Sequence, residues 1–122
     1  MNFNYFDVFL AFATDDIQAL TDFYSQLLQK QPDVYRPSIY TEFHLKKLRL
    51  GIFKPKPERQ KEFENLGSGM SLCIEVENID IAIATLTKIG IPPPGEIIEA
   101  SHGKEIYAYD PQGNRLILHQ SA

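Results

Sequence analysis

The sequence predicts an α+β fold in which one βαβββ pattern is written twice. Three observations support this. Alternating apolar stretches at residues 8–14 and 70–76 are each followed by a capping residue and then by apolar positions at helical spacing. Aligning Asp16 with Asn78, an offset of 62 residues, superposes Val8, Leu10 and Phe12 on Met70, Leu72 and Ile74, and Ile17 on Ile79. Between the halves lies KPKPERQKEFENLGSG, rich in charge, proline and then glycine, which is linker composition. The expected layout is a first module over about 3–54, a linker over about 55–67 and a second module over about 68–121, all in one domain of residues 1–122.

Taken in order, residues 8–14 place Val8, Leu10 and Phe12 on one face of a strand and Phe9, Ala11 and Ala13 on the other. Asp15 and Asp16 offer an N-cap, with Gln18 spaced to close a capping box on Asp15. Ile17, Leu20, Phe23 or Tyr24, and Leu27 or Leu28 then mark the buried stripe of a helix. Gln31-Pro32 is expected to stop it, because the residue before proline is pushed out of the α region. Strands are predicted at 33–36, 39–45 and 47–53. The linker reads either as a short helix around Glu58–Leu66 or as a mobile flap.

In the second half Met70, Leu72, Ile74 and Val76 alternate with Ser71, Cys73 and Glu75. Asn78 caps a helix carrying Ile79, Ile83, Leu86 and Ile89, and Gly90 is placed to end it. Strands follow at 96–100, 104–109 and 115–120. The last two are joined by Asp110-Pro111-Gln112-Gly113, which fits a type I turn: Asp accepts at the first position, Pro presets φ, and Gly relaxes the exit. That turn role accounts for Asp110 without any catalytic one.

A net charge of −4 offers no electrostatic footprint for nucleic acid or for an anionic membrane. No apolar run approaches membrane-spanning length, and the N-terminus MNFNYFDVF has no basic flank followed by an apolar stretch. A cytoplasmic location is therefore expected. The single Cys73 cannot form an internal bridge, and its apolar strand context predicts a buried, inert thiol.

Two passages, DDIQALTDFYSQLL and HGKEIYAYDPQGNRLIL, together with the duplicated order, give the chain its kinship. It resembles the vicinal oxygen chelate superfamily, which includes glyoxalase I, extradiol dioxygenases, and the fosfomycin and bleomycin resistance proteins. The resemblance implies a curled mixed β-sheet cup with helices on the outside and a ligand inside. It also implies metal ligands on the first and last strands of the modules. Carried over, those positions are Phe9, Ser71, a residue near Gly51, and Ile117. Phenylalanine, glycine and isoleucine supply no lone pair, and a neutral serine alone binds metal poorly. The usual metal centre, and the Lewis-acid chemistry it supports, is therefore expected to be missing, with no cofactor in its place.

Strand parity puts Glu42, His44, Arg49, Gly51, Cys73, Glu75, Tyr107, Tyr109, Arg115 and His119 on the same face as the lost ligands. The opposite parity (Val8, Leu10, Phe12, Leu48, Leu50, Ile52, Leu72, Ile74, Leu116, Leu118) forms the core under the helices. Taken singly, His44 and His119 read as half-exposed strand histidines, and Glu42 and Glu75 as a solvated rim. Collectively, rings and aliphatics with a few polar groups are the usual lining of a small-molecule pocket. Tyr107 also matches a ligand-facing position of the fosfomycin-resistance members.

The expected ligand-binding residues are thus Phe9, His44, Arg49, Cys73, Glu75, Tyr107, Tyr109, Ile117 and His119. The first functional expectation is a metal-free protein that binds an aromatic or amphipathic small molecule. The alternative is a lyase, isomerase or dioxygenase with acid–base chemistry or a metal relocated to His44, Glu75 and His119. A third is an association module plugged by its own aromatics. The resemblance and the exposed sheet edges point to a homodimer.

Overall fold

Every expected element forms. A computed structural model of the protein describes residues 3–4, 6–64 and 69–122. Strand β1 (Leu10–Ala13) leads into helix α1 (Ile17–Leu28) and then β2 (Val34–Arg36), β3 (Tyr40–His44) and β4 (Arg49–Phe53). A 3-10 helix over Pro57–Phe63 follows. The second half repeats the order: β5 (Leu72–Glu75), α2 (Ile79–Ile89), β6 (Ile98–Ala100), β7 (Gly103–Tyr109) and β8 (Arg115–Ser121).

The strands make two four-stranded mixed sheets, ordered β1-β4-β3-β2 and β5-β8-β7-β6. In each, the first strand runs parallel to the last of its half and the other pairs are antiparallel. The registers superpose the halves. Gly51 lies between Ala11 and Glu42, just as Ile117 lies between Cys73 and Tyr107. Gly51 and Ile117 are therefore equivalent central positions of the two last strands.

One core lies between the sheets and the helices. Ile17, Leu20, Phe23 and Tyr24 of α1, and Ile79 and Leu86 of α2, cluster with Phe43, Leu50, Ile52, Leu72, Ile106, Ala108, Leu116 and Leu118. The expected core parity holds, with one correction. Val8 is 74% exposed, because strand pairing begins only at Leu10 opposite Leu50 and the chain before it has left the sheet.

Local signals explain the helix ends. Asp16 is the N-cap of α1, its Oδ1 accepting from the Ala19 amide at 3.0 Å, a contact worth about 1 kcal/mol. The capping box expected on Asp15 does not form, and Gln18 instead donates to Asp22 at 2.7 Å. Helix α1 ends at Leu28, before Pro32 is reached, because Gln29 turns left-handed at φ 54°. Asn78 and Gly90 cap and end α2 as expected, Gly90 at φ 103°. Within the linker, the described residues adopt the short 3-10 helix, and Phe63 packs edge-on against Phe53 at 5.4 Å. Leu66, the expected end of that helix, lies outside the described residues.

The terminal turn does more than reverse the chain. The Gly113 amide donates to the Asp110 carbonyl at 2.9 Å, closing the turn. The buried Asp110 carboxylate accepts from the amides of Gln112 and Asn114 and from the Asn114 side chain. Its fourth donor is the Tyr24 hydroxyl of α1, at 2.7 Å. Beside it Thr14 Oγ1 donates to Gln112 Oε1 at 2.6 Å. The first half is thereby latched to the last hairpin of the second.

Candidate functional site

On the sheet face away from the helices, the first half gathers a polar cluster. The Arg49 guanidinium stacks 4.6 Å from the Phe9 ring centroid and pairs with Asp7. Its Nε is buried without a hydrogen-bond partner, 3.6 Å from Glu42 Oε1. Glu42 accepts from the Tyr40 hydroxyl and pairs with His44 Nε2 at 2.6 Å. The hydrogen bond from Tyr40, then that from His44 and the charge of Arg49, hold the Glu42 carboxyl below its usual range. Desolvation, aided by Glu42, pushes the Tyr40 phenol up to about 12. Tyr40 thus stays a donor, and Glu42 stays an anion.

Parity did not single out Tyr40, yet it decides what the first half can bind. A Cβ at position 51 would meet the Tyr40 Oη at 2.8 Å. The ring therefore roofs the backbone near the position to which the resemblance carries a metal ligand.

The second half places Ser71, Cys73, Glu75, Tyr107, Tyr109, Arg115, Ile117 and His119 on the corresponding face. Cys73 corrects an expectation: it is exposed, because its neighbours Leu72 and Ile74 point to the helices and it points the other way. His119 Nδ1 lies 2.8 Å from Glu75, and its Nε2 lies 2.9 Å from His102 Nδ1. His102 Nε2 in turn sits 3.9 Å from Glu105. The Glu75 hydrogen bond, reinforced by the charges of Glu75 and Glu105, raises the His119 pKa above the ordinary imidazole value. His102 escaped the sequence reading because it stands in the turn before β7, where parity has no meaning.

The residues at the four positions that the resemblance carries over do not fit a metal ion. Phe9 and Ile117 offer carbon, and Gly51 is roofed by Tyr40. Ser71 Oγ accepts from Arg115 Nε at 2.7 Å, which places a fixed positive charge where a cation would need donors. The relocated trio of His44, Glu75 and His119 does not assemble either. His44 is engaged by Glu42 in the first sheet, while Glu75 and His119 hold each other in the second. Among the described residues no group of three or more His, Cys, Asp or Glu is placed to hold an ion.

A groove of about 420 Å³ opens at the seam between β1 and the start of β5, closed by the 3-10 helix and the terminal hairpin. Leu10, Phe12, Phe63, Met70 and Leu72 are among its apolar lining residues, and Glu62, Ser71, Tyr109, Asn114 and Arg115 are its polar ones. Of the nine expected binding residues only Tyr109 lines it. Phe9 and Tyr107 stand on the open face, 45% and 42% exposed. Parity reads the faces of a sheet. This groove draws on both faces, because it lies between two strands that do not pair.

Paired βαβββ sheets sharing one helical layer beside a cleft define the class of two-module cup proteins. The chain belongs to the Glyoxalase/Bleomycin resistance protein/Dioxygenase superfamily, whose family model matches residues 7–118. Solved structures agree on the fold. A protein from Agrobacterium tumefaciens, known from its solution structure, is 25% identical over 93% of this chain and 95% of that one, with a TM-score of 0.76. A glyoxalase/bleomycin resistance protein/dioxygenase family enzyme from Burkholderia phytofirmans superposes with a TM-score of 0.80 at 18% identity, covering 93% of this chain and 97% of that one. The fosfomycin resistance protein FosX from Listeria monocytogenes gives 0.77 at 14% identity, over 98% and 95%. No curated protein matches the sequence significantly. Among the described residues no helix is long and apolar enough to cross a membrane.

Proposed function

We propose that the protein is a metal-free binder of an aromatic or amphipathic small molecule, working as a cytoplasmic homodimer of single-domain chains. One observation underlies the reading. The positions to which the resemblance carries the family's metal ligands hold Phe9, a residue near Gly51, Ser71 and Ile117, with Tyr40 roofing Gly51 and Arg115 bonded to Ser71. In this reading the rings of Phe9 in the first half and of Tyr107 and Tyr109 in the second would hold the ligand, with Arg49 and His44 beside the first and Glu75, Cys73 and His119 beside the others as orienting groups. Tyr109 also lines a groove of ligand size. Non-covalent retention needs no Lewis acid, so the replaced ligands remove nothing that it requires. Self-association is supported by Phe3, Phe6 and Val8, which stand almost wholly in solvent ahead of β1, and by the edge strands β2 and β6.

A thermal-shift screen of aromatic and amphipathic compounds, with and without chelator, tests the reading. The expected result is stabilising compounds that ignore the chelator and stabilise the Tyr107→Ala variant less. Hits that vanish with chelator would overturn it. The Glu75–His119–His102 chain favours a second reading, acid–base catalysis, in which Glu75 orients the His119 imidazole and substrate takes the place of His102 at its Nε2. Turnover of any screened compound that is lost in His119→Gln would establish that reading instead.

A further inference from the structure

A second hollow lies on the helix side of the molecule, between the end of α1, the start of α2 and the face of β5 and β8 that the helices cover. It holds about 380 Å³, within the roughly 300–1,000 Å³ usual for small-molecule sites. Leu27, Leu28, Ile74, Val76, Ile81 and Leu118 supply its walls, and all are aliphatic. The first four pack against the core and Leu118 belongs to it, whereas Ile81 is 65% exposed. The polar groups of the lining are few and mostly engaged. Thr85 Oγ1 donates to the Ile81 carbonyl at 2.9 Å, and Asn78 Oδ1 caps α2 by accepting from the Ile81 amide at 3.0 Å. Glu77 is the one ionisable side chain of the lining; it is exposed and has no partner among the described residues. The nearby helix ends do not cancel its charge. Helix α1 finishes at Leu28 with no basic residue in its last turn, so the negative end of its dipole is unanswered from within the helix. Helix α2 starts there with its positive end, but carries Asp80 in its first turn.

We infer that this groove is a further binding site, separate from the open face, and that it takes an alkylammonium ion, the chain between α1, α2 and β5 and the head beside Glu77. An aliphatic wall whose hydroxyl and amide oxygen are already bonded offers a polar body nothing to pair with, and burying unpaired polar groups is costly. An unbranched alkyl chain carries no such groups, and it gains from every methylene removed from water. At the mouth, a carboxylate head would meet Glu77 as a like charge, and an uncharged head would gain nothing from it. Because Glu77 is exposed, its charge sets the preference among head groups while the chain supplies most of the affinity.

The experiment titrates the labelled wild-type chain with octylammonium, octanol and octanoate, at low ionic strength and below the aggregation limit of each, and follows backbone amide shifts. Octylammonium is expected to bind about fivefold or more tightly than octanoate, with octanol between them. Hexylammonium should bind about tenfold more weakly than octylammonium, as the loss of two buried methylenes requires. The shifts should centre on Leu28, Val76 and Ala82. Glu77→Gln should bring the three head groups to similar affinity, and Glu77→Asp should keep their order. Ile81→Ser, at an exposed position that leaves the core intact, should weaken all three alike. Equal binding of the three heads to the wild-type protein overturns the inference, as do indifference to chain length and shifts centred on Tyr107 and Tyr109 of the open face. If no probe binds, the inference fails and the reading of the open face, which has its own screen, survives. If light scattering finds a dimer that Ile81→Ser splits, and the probes bind only the split form, a second copy of the chain covers the groove and the inference fails.

Discussion

Gly51 and Tyr40 show how a single residue can close off one kind of chemistry. Tyr40 lies diagonal to Gly51 across β3 and β4, and its ring occupies the space that any side chain at 51 would enter. Gly51→Ala is therefore expected to destabilise the protein by about 1–3 kcal/mol, the usual range for overpacking. The added methyl must displace a ring whose hydroxyl is bonded to Glu42. In a Tyr40→Ala background the same substitution should cost almost nothing, and urea denaturation of the four proteins would measure the coupling. Additive effects would mean that the ring does not hold position 51. In the second half Ile117 is the counterpart of Gly51, and Ser71, the other position to which the resemblance carries a ligand, is bonded by Arg115. There a guanidinium, not a ring, occupies the neighbourhood, so restoring an acid by Ile117→Glu alone is expected to leave metal affinity negligible in a zinc titration.

At the scale of elements, the neighbouring strands β5, β8 and β7, with the turn before β7, carry a line of titratable groups from Glu75 through His119 and His102 to Glu105. His119 has a folded pKa raised above its ordinary 6.5, chiefly by Glu75. A raised pKa means that the folded state holds the proton more tightly than the unfolded chain. The resulting stability is fully present below pH 6.5 and is lost as pH rises through the folded value. Thermal midpoints measured from pH 6 upward should fall less steeply in His119→Gln than in the wild-type protein. An identical slope would show that the pair is not coupled to folding.

Elements were the scale most legible in the sequence. Alternation placed Leu50, Ile52, Leu116 and Leu118 in the core and their neighbours on the open face, because side-chain direction in a strand has period two. It misplaced Val8, where pairing had not begun, whereas it put Cys73 on the open face, and only the apolar context suggested a buried thiol. Tyr40 was legible as a strand residue but not as a roof over Gly51. His102, the Arg115–Ser71 bond and the seam groove depend on turns and on distances between halves, which no local pattern encodes.

For the molecule as a whole, the question is whether the two halves behave as one folding unit. Among the described residues their sheets do not pair with each other, so no ladder there unites them. The union comes from the shared core between α1 and α2 and from the buried contact of the Tyr24 hydroxyl with Asp110. Burial and the Asp110 carboxylate push the Tyr24 phenol far above its usual range, so it remains a donor at any ordinary pH. Tyr24→Phe removes one of four donors from a carboxylate that is almost fully buried. Leaving a buried acceptor under-satisfied typically costs about 1–3 kcal/mol, and more for a charged group. The variant should therefore unfold at lower urea, yet in a single transition, because the apolar core still spans both halves. Hydrogen exchange would check this, with amides of β4 and β8 expected to lose protection together. Separate loss in the two sheets would mean that the latch, rather than the core, makes the halves cooperate.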